Sequence, residues 1–159
     1  MDVSKSDTTA FQKSYAKALS DGDVQAIVSA WHTPSLVIGP AGTIAASKSA
    51  EVKEFFKASI ADYRSKGISG AELHSADVTS VSDSVAATAV IWKHVSTDGG
   101  SGGREKAFYV LSKSGPSARL GIDLYSPGAN RFIERTKFRV PAFAAHVELR
   151  QSTNDQLKF

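Results

Sequence analysis

The chain has 159 residues, a net charge of +3 and no cysteine, and 42% of its residues are apolar. A chain of this length and composition can bury one sizeable hydrophobic core without help from disulfides or metal ions. The absence of cysteine excludes a disulfide framework, a thiolate nucleophile, and zinc or iron–sulfur sites with cysteine ligands.

The positive charge is concentrated near the C-terminus. Residues 1–126 contain 13 Lys or Arg and 13 Asp or Glu, whereas residues 127–159 contain 6 and 3. A nucleic-acid-binding domain usually carries a basic patch on its main body, so we expect no nucleic-acid partner. The N-terminus has no apolar signal segment and no stretch approaches about 18 consecutive apolar residues, so we expect a cytoplasmic protein without a membrane partner.

Two short amphipathic helices are predicted at the start of the chain. Apolar residues recur at helical spacing over residues 11–19 and again over residues 24–31. Between them, Asp21-Gly22-Asp23 offers a glycine that can end the first helix and an aspartate that can cap the second. A strand at residues 36–39 and a turn at residues 39–42 follow.

Beyond this turn the sequence predicts one more helix and then strands. Residues 49–66 keep the helical spacing, and Gly67 can end that helix. The glycine run at residues 98–103 lacks the Gly-Lys-Ser/Thr ending of a phosphate loop and precedes a strand, so it predicts a hairpin tip. From about residue 73 the apolar period changes to two and predicts four strands, at 73–81, 85–96, 104–112 and 119–125.

This order of elements resembles the nuclear transport factor 2-like superfamily, in particular its SnoaL-like branch and the relatives of the calmodulin-dependent kinase association domain. The resemblance covers residues 8–126 and implies an α+β fold, with three N-terminal helices packed on a strongly curved antiparallel sheet that forms a cone with a pocket. The matching positions are Asp21-Gly22-Asp23, Trp31-His32, Pro34, the strand at 36–39 and the helix from Glu51 to Tyr63.

The resemblance also implies three candidate catalytic residues, which are Asp123, Tyr15 and His94. Asp123 is a carboxylate in an otherwise apolar strand, which is costly unless the group is paired or used in acid–base chemistry. We therefore predict that it lies in the pocket, while an ion pair with a neighbouring strand is an equal alternative. Tyr15 could instead belong to the core, and His94 could be exposed near the end of its strand.

The pocket is expected to be lined mainly by aromatic residues. His32 has an alternative role, because a histidine at the end of the second helix can bond the last free carbonyls. Four scattered histidines predict no metal site, and nothing predicts a cofactor. The predicted lining residues are Trp31, His32, Phe56, Trp92, Phe108, Tyr109 and Tyr125.

Two classes of function remain open. The first is a small-molecule-binding domain whose apolar pocket holds a small apolar or aromatic ligand. The second is a cofactor-independent isomerase, dehydratase or cyclase, in which a pocket Asp moves a proton and Tyr or His stabilises the oxyanion. Because strand 85–96 has apolar residues on both faces, we also expect a homodimer.

The last segment, residues 127–159, lies beyond the resemblance and begins with Pro127-Gly128. Alternating apolar and basic residues from Phe132 to Val140 predict an extended arm, which Pro141 should end. We therefore expect a domain at residues 1–126 and a C-terminal extension at residues 127–159. The extension should be ordered by docking on its own domain or on a partner subunit, and a mobile tail is the alternative.

Overall fold

The computed structural model describes residues 3–39, 42–114 and 119–127; for residues 114, 119, 120 and 123–127 it describes the backbone alone. The helices of this part of the chain are α1 (Lys5–Asp21), α2 (Val24–Ser29) and α3 (Ser49–Ser65). The strands are β1 (Trp31–Gly39), β2 (Gly42–Ala46), β3 (Ile68–Ser82), β4 (Val85–Ser96), β5 (Ser101–Ser114) and β6 (Arg119–Pro127). No helix in the described ranges combines the length and the apolar character that crossing a membrane requires.

The turn between α1 and α2 has the structure that its sequence predicts. Gly22 adopts a φ of 69°, in the left-handed region that favours glycine, and its N–H donates to the Leu19 carbonyl at 3.3 Å. The Asp23 side chain accepts a hydrogen bond from the Ala26 N–H at 3.0 Å. The predicted helix stop and helix cap are therefore both confirmed.

The six strands form one curved, unclosed sheet in the order β2-β1-β6-β5-β4-β3. Neighbouring strands are antiparallel except for β1 and β6, which run parallel. The pairing register shifts within four of the five pairs, and such bulges bend strands and increase their twist. The predicted α+β fold, with helices on a curved and mostly antiparallel sheet, is confirmed.

The hydrophobic core lies between the helices and one face of the sheet. Along β4, side chains point alternately to the two faces, and Val90 and Trp92 point toward the helices and are buried. The core cluster also contains Tyr15, Ala16 and Ala18 of α1, Ile27 of α2, Val52 and Phe56 of α3, Ala107, Tyr109 and Leu111 of β5, and Ile122 of β6.

The predicted second helix is two residues too long. α2 ends at Ser29, and Trp31 and His32 are the first residues of β1. The Ile122 N–H donates to the Ala30 carbonyl at 2.8 Å, so pairing with β6 takes over the chain where a helix would continue. His32 therefore does not cap a helix.

One strand, β2, was not predicted, and β1, β3 and β5 begin earlier than predicted. β2 lies at the edge of the sheet, where it pairs only with β1, and four of its five residues are exposed. Because an exposed edge strand has no face to bury, its sequence lacks the apolar alternation that marks a strand. β3 begins at Ile68, five residues before the predicted start, because its first residues pair with the far end of β4. The predicted arm beyond Pro127 lies outside the described residues.

Candidate functional site

A cavity of about 180 Å³ lies between the helices and the inner face of the sheet. It is formed by α1, by α3 and by the adjoining halves of β3, β4 and β5. The residues that line it are Tyr15, Leu19, Phe55, Phe56, Ser59, Ile60, Tyr63, Arg64, Ile68, Ser69, Gly70, Ala71, Trp92, His94, Glu105 and Tyr109.

The closed end of the cavity is aromatic. The Tyr15 ring meets Phe56 and Tyr109 edge to face, with centroid separations of 6.4 Å and 6.2 Å. Trp92 lies 6.2 Å from Tyr109 in the same arrangement. Contacts of this geometry fix ring positions, so this end of the cavity has a defined apolar wall.

The polar atoms of these rings are hydrogen-bonded to one another. The Trp92 indole N–H donates to the Tyr109 hydroxyl at 2.9 Å, and the Trp31 indole N–H donates to the Tyr15 hydroxyl at 3.1 Å. Burial raises the pKa of the Tyr15 hydroxyl, and the bond from Trp31 lowers it by a smaller amount. Burial also raises the pKa of the Tyr109 hydroxyl well above its ordinary value. Both phenols therefore stay neutral at physiological pH.

A second group of residues, Tyr63, Glu105 and His94, forms a polar cluster at the wall of the cavity. The Tyr63 hydroxyl donates to Glu105 Oε2 at 2.6 Å, and His94 Nε2 lies 3.1 Å from the same oxygen. The side chains of His94 and Glu105 are only 14% and 20% exposed. The cluster therefore places a carboxylate, a phenol and an imidazole together at the wall of a mainly apolar cavity.

The fold brings these three residues together from distant parts of the chain. Glu105 is the cross-strand partner of Trp92, and His94 follows two residues later on the same face of β4. Tyr63 lies in the last turn of α3, with its ring 5.3 Å from that of His94. Burial raises the pKa of the Tyr63 hydroxyl, and the hydrogen bond to Glu105 and its negative charge raise it further.

Five of the residues predicted from sequence line this cavity. They are Tyr15, Phe56, Trp92, His94 and Tyr109. Trp31 lies behind the wall, where it bonds Tyr15. The side chains of Asp123 and Tyr125 lie outside the described part of the chain, although the backbone of both belongs to β6.

His32 and Phe108 do not line the cavity. Phe108 alternates with the inward-facing Tyr109 and so lies on the opposite face of the sheet. His32 Nδ1 is 3.3 Å from the Ser112 hydroxyl. Ser112 is four residues after Phe108 in β5 and points to the same face, so the contact with His32 also lies on the face away from the cavity.

Glu105 was not predicted as a site residue, and Tyr63 was predicted only as part of the helix at residues 49–66. Counting by two from Tyr109 through Ala107 puts Glu105 on the apolar face of β5, and an acid on that face was the available signal. No comparable signal marks Tyr63, because its role depends on how α3 lies on the sheet. Within the described ranges, no group of three His, Asp or Glu side chains could hold a metal ion.

Comparison with known proteins assigns the chain to a family. The model of the NTF2-like protein family (DUF6841) matches residues 6–120, and the chain belongs to that family. The superfamily predicted from the sequence is thereby confirmed. A search of the curated proteins found no match.

Solved structures with the same fold are distant in sequence. A protein of unknown function with a cystatin-like fold from Nostoc punctiforme PCC 73102 has a TM-score of 0.63 and 13% identity, over 80% of this chain and 93% of that one. An NTF2-like protein of unknown function from Shewanella oneidensis MR-1 has a TM-score of 0.60 and 14% identity, over 77% and 96%. A ketosteroid isomerase-like protein from Erwinia carotovora atroseptica SCRI1043 has a TM-score of 0.55 and 16% identity, over 75% and 90%. At these identities the likeness is one of fold.

Proposed function

We propose that the cavity binds a small, mostly apolar molecule. The observation that carries this proposal is the combination of a packed aromatic end and one polar cluster, Tyr63–Glu105–His94, in the same cavity. Ligand sites are typically apolar clefts with a few convergent polar groups that orient the ligand. The aromatic end supplies the apolar contact, and the polar cluster supplies hydrogen bonds.

The cavity volume limits the size of this ligand. Drug-sized ligands occupy pockets of roughly 300–1,000 Å³, whereas an apolar cavity of about 150 Å³ is enough to hold benzene. A volume of about 180 Å³ therefore fits a molecule with a single ring and a small substituent.

A matched pair of variants tests binding. Ser59 and Ser65 both lie in α3 and both bond a backbone carbonyl in the preceding turn, but Ser59 lines the cavity and Ser65 does not. Phenylacetamide, a neutral single-ring probe, should shift the amide NMR signals of Gly70 and Ala71 in the wild type and in Ser65→Phe. The Ser59→Phe ring should fill the cavity and abolish these shifts. Equal shifts in all three proteins, or none in the wild type, would refute the proposal.

The Tyr63–Glu105–His94 cluster also favours a second function, cofactor-independent proton transfer. The Glu105 carboxylate would remove a proton from a carbon next to a carbonyl, leaving the electron pair on the carbonyl oxygen as an enolate. Tyr63, whose raised pKa keeps it protonated, would then donate a hydrogen bond to that oxygen. Where a carbon–carbon double bond is conjugated with the enolate, return of the proton to the far carbon of that bond shifts the double bond and gives an isomerase.

This second function is tested by hydrogen exchange. Phenylacetone dissolved in D2O should exchange its α-hydrogens faster with the protein than without it, as followed by NMR. Glu105→Gln should remove the acceleration while phenylacetamide still binds. If Asp123→Asn removes it and Glu105→Gln does not, the base is the aspartate predicted from the sequence; no acceleration by the wild type excludes the enzyme.

We further propose that the protein is a homodimer that associates through the outer face of the sheet. This face carries apolar side chains of intermediate exposure, among them Ile91, Phe108 and Val110. Apolar residues on both faces of a sheet favour burial of both faces.

A further inference from the structure

We propose that Arg64 makes the cavity selective for small organic acids, with the ring of the acid in the aromatic end and its carboxylate at the guanidinium. This inference rests on the proposed binding function and names the chemical class of the ligand. It concerns a residue that the polar cluster does not include.

The first support is the position of Arg64. It lines the cavity and is itself exposed, whereas Trp92 and Tyr109 at the other end are almost fully buried. Arg64 therefore lies at the open end. A Cβ atom added at Gly22 would be 2.5 Å from Arg64 Nη2, so the guanidinium packs closely over the turn between α1 and α2.

The second support is its charge. Apart from Arg64, the ionisable side chains that line the cavity are three tyrosines, a histidine and the acid Glu105, so Arg64 is the one lining residue that is always cationic. Within the described part of the chain, no carboxylate forms an ion pair with it. A guanidinium is a planar set of donors that matches the geometry of a carboxylate.

The third support is the position of Glu105, which fixes the direction of the ligand. A carboxylate group of the ligand would be repelled by Glu105, because like charges in a poorly solvated space disfavour each other. The repulsion is smallest and the attraction greatest when the acid group stays at the open end beside Arg64. The neutral ring then faces Tyr15, Phe56 and Trp92.

The test compares two probes of equal size, phenylacetate and phenylacetamide, which differ in charge. Their affinities are measured from the NMR shifts of Gly70 and Ala71 in the wild type, Arg64→Gln and Lys66→Gln. Lys66 is the matched control, because it is a cation at the same end of α3 but does not line the cavity. Its Nζ instead pairs with Asp62 Oδ2 at 2.6 Å.

We expect phenylacetate to bind the wild type about fivefold more tightly than phenylacetamide, which is the scale of one exposed ion pair. Arg64→Gln should remove this preference, so that phenylacetate binds no more tightly than phenylacetamide, and Lys66→Gln should keep it. Arg64→Lys should retain part of it, because the charge remains without the planar donor set.

The outcomes separate this inference from the proposed function. If phenylacetamide binds and phenylacetate binds no more tightly, the anion preference is wrong and the binding function stands. Loss of the preference in Lys66→Gln as well would show a diffuse surface charge and overturn the role of Arg64. Acetate that shifts the same signals with the affinity of phenylacetate would overturn the role of the aromatic end. If neither aromatic probe binds, both proposals fail.

Discussion

At the scale of single residues, the indole and phenol groups of the core satisfy one another. Trp92 and Tyr109 are both buried, and their mutual hydrogen bond spans the adjacent strands β4 and β5. A buried indole N–H needs an acceptor, because a buried donor without a hydrogen bond costs more free energy than an average hydrogen bond contributes. The same bond keeps the Tyr109 hydroxyl turned toward Trp92.

Tyr109→Phe should lower the free energy of unfolding by about 1 to 3 kcal/mol, because it removes the acceptor of the buried Trp92 N–H without removing the ring. Urea denaturation measures the change. The control is a double-mutant cycle with Trp92→Phe, in which the second substitution should cost less once the first is present. Additive effects would show that the two groups do not interact.

Alkaline pH should destabilise the protein through the buried Tyr15 and Tyr109 and the partly buried Tyr63. The ordinary tyrosine pKa is 10.0, and burial raises the folded-state pKa of Tyr15, Tyr63 and Tyr109 above it. The folded state thus holds these protons more tightly than the unfolded state, so their stabilising contribution is complete below pH 10 and is lost as pH rises further. Above pH 10, tyrosinate absorbance from these three residues should rise together with unfolding. Their ionisation at the ordinary pKa in a folded protein would contradict their burial.

At the scale of elements, the close contact between β1 and β6 depends on Gly121, which has no side chain. A Cβ atom at Gly121 would lie 2.3 Å from His32 Nε2, which is far inside van der Waals contact. The imidazole of β1 therefore occupies the space that any larger residue of β6 would need. On its other side the ring reaches Ser112 of β5, so it connects three strands.

Gly121→Ala should destabilise the fold by about 1 to 3 kcal/mol, the usual cost of overpacking a filled site. His32→Ala should partly rescue it, because it empties the space that the new methyl group enters. Thermal unfolding of the two single variants and the double variant measures this coupling. If the double variant loses as much stability as the two single variants together, or more, the close approach is not the cause.

At the scale of the whole molecule, the proposed homodimer determines the mass in solution. Sedimentation at micromolar concentration should give twice the 16.9 kDa of one chain. Ile91→Lys, on the outer face of β4, should shift the population toward monomer, because it places a charge in the apolar interface. The wild type running as a 16.9 kDa species would count against dimerisation.

The extension at residues 127–159 has its own test. Deleting residues 128–159 should lower the melting temperature or dissociate the dimer, since we expect a segment too short to form its own core to be ordered only by docking. Differential scanning calorimetry and sedimentation of the truncated and complete chains provide the comparison. Unchanged melting temperature and mass would support the mobile tail.

The sequence alone was sufficient for most of the fold, because its signals are local. Local patterns located three helices and five of the six strands, and Asp21-Gly22-Asp23 predicted both the stop of α1 and the cap of α2. Prediction from the sequence failed where hydrogen bonding between strands that are distant in the chain overrides the local helical preference. Trp31 has helical spacing from Val24, yet bonding of the chain to β6 makes it a strand residue.

For the site, the sequence determined which aromatic residues are available, and the tertiary structure decided which of them meet. Period-two alternation grouped Trp92 with His94 but could not say which face of β4 the helices cover. Glu105, Tyr63 and Arg64 became site residues only through the register of β4 with β5 and the placement of α3. Periodicity gives the direction of a side chain relative to its own element, whereas a site requires the position of one element relative to another, and that is set by packing.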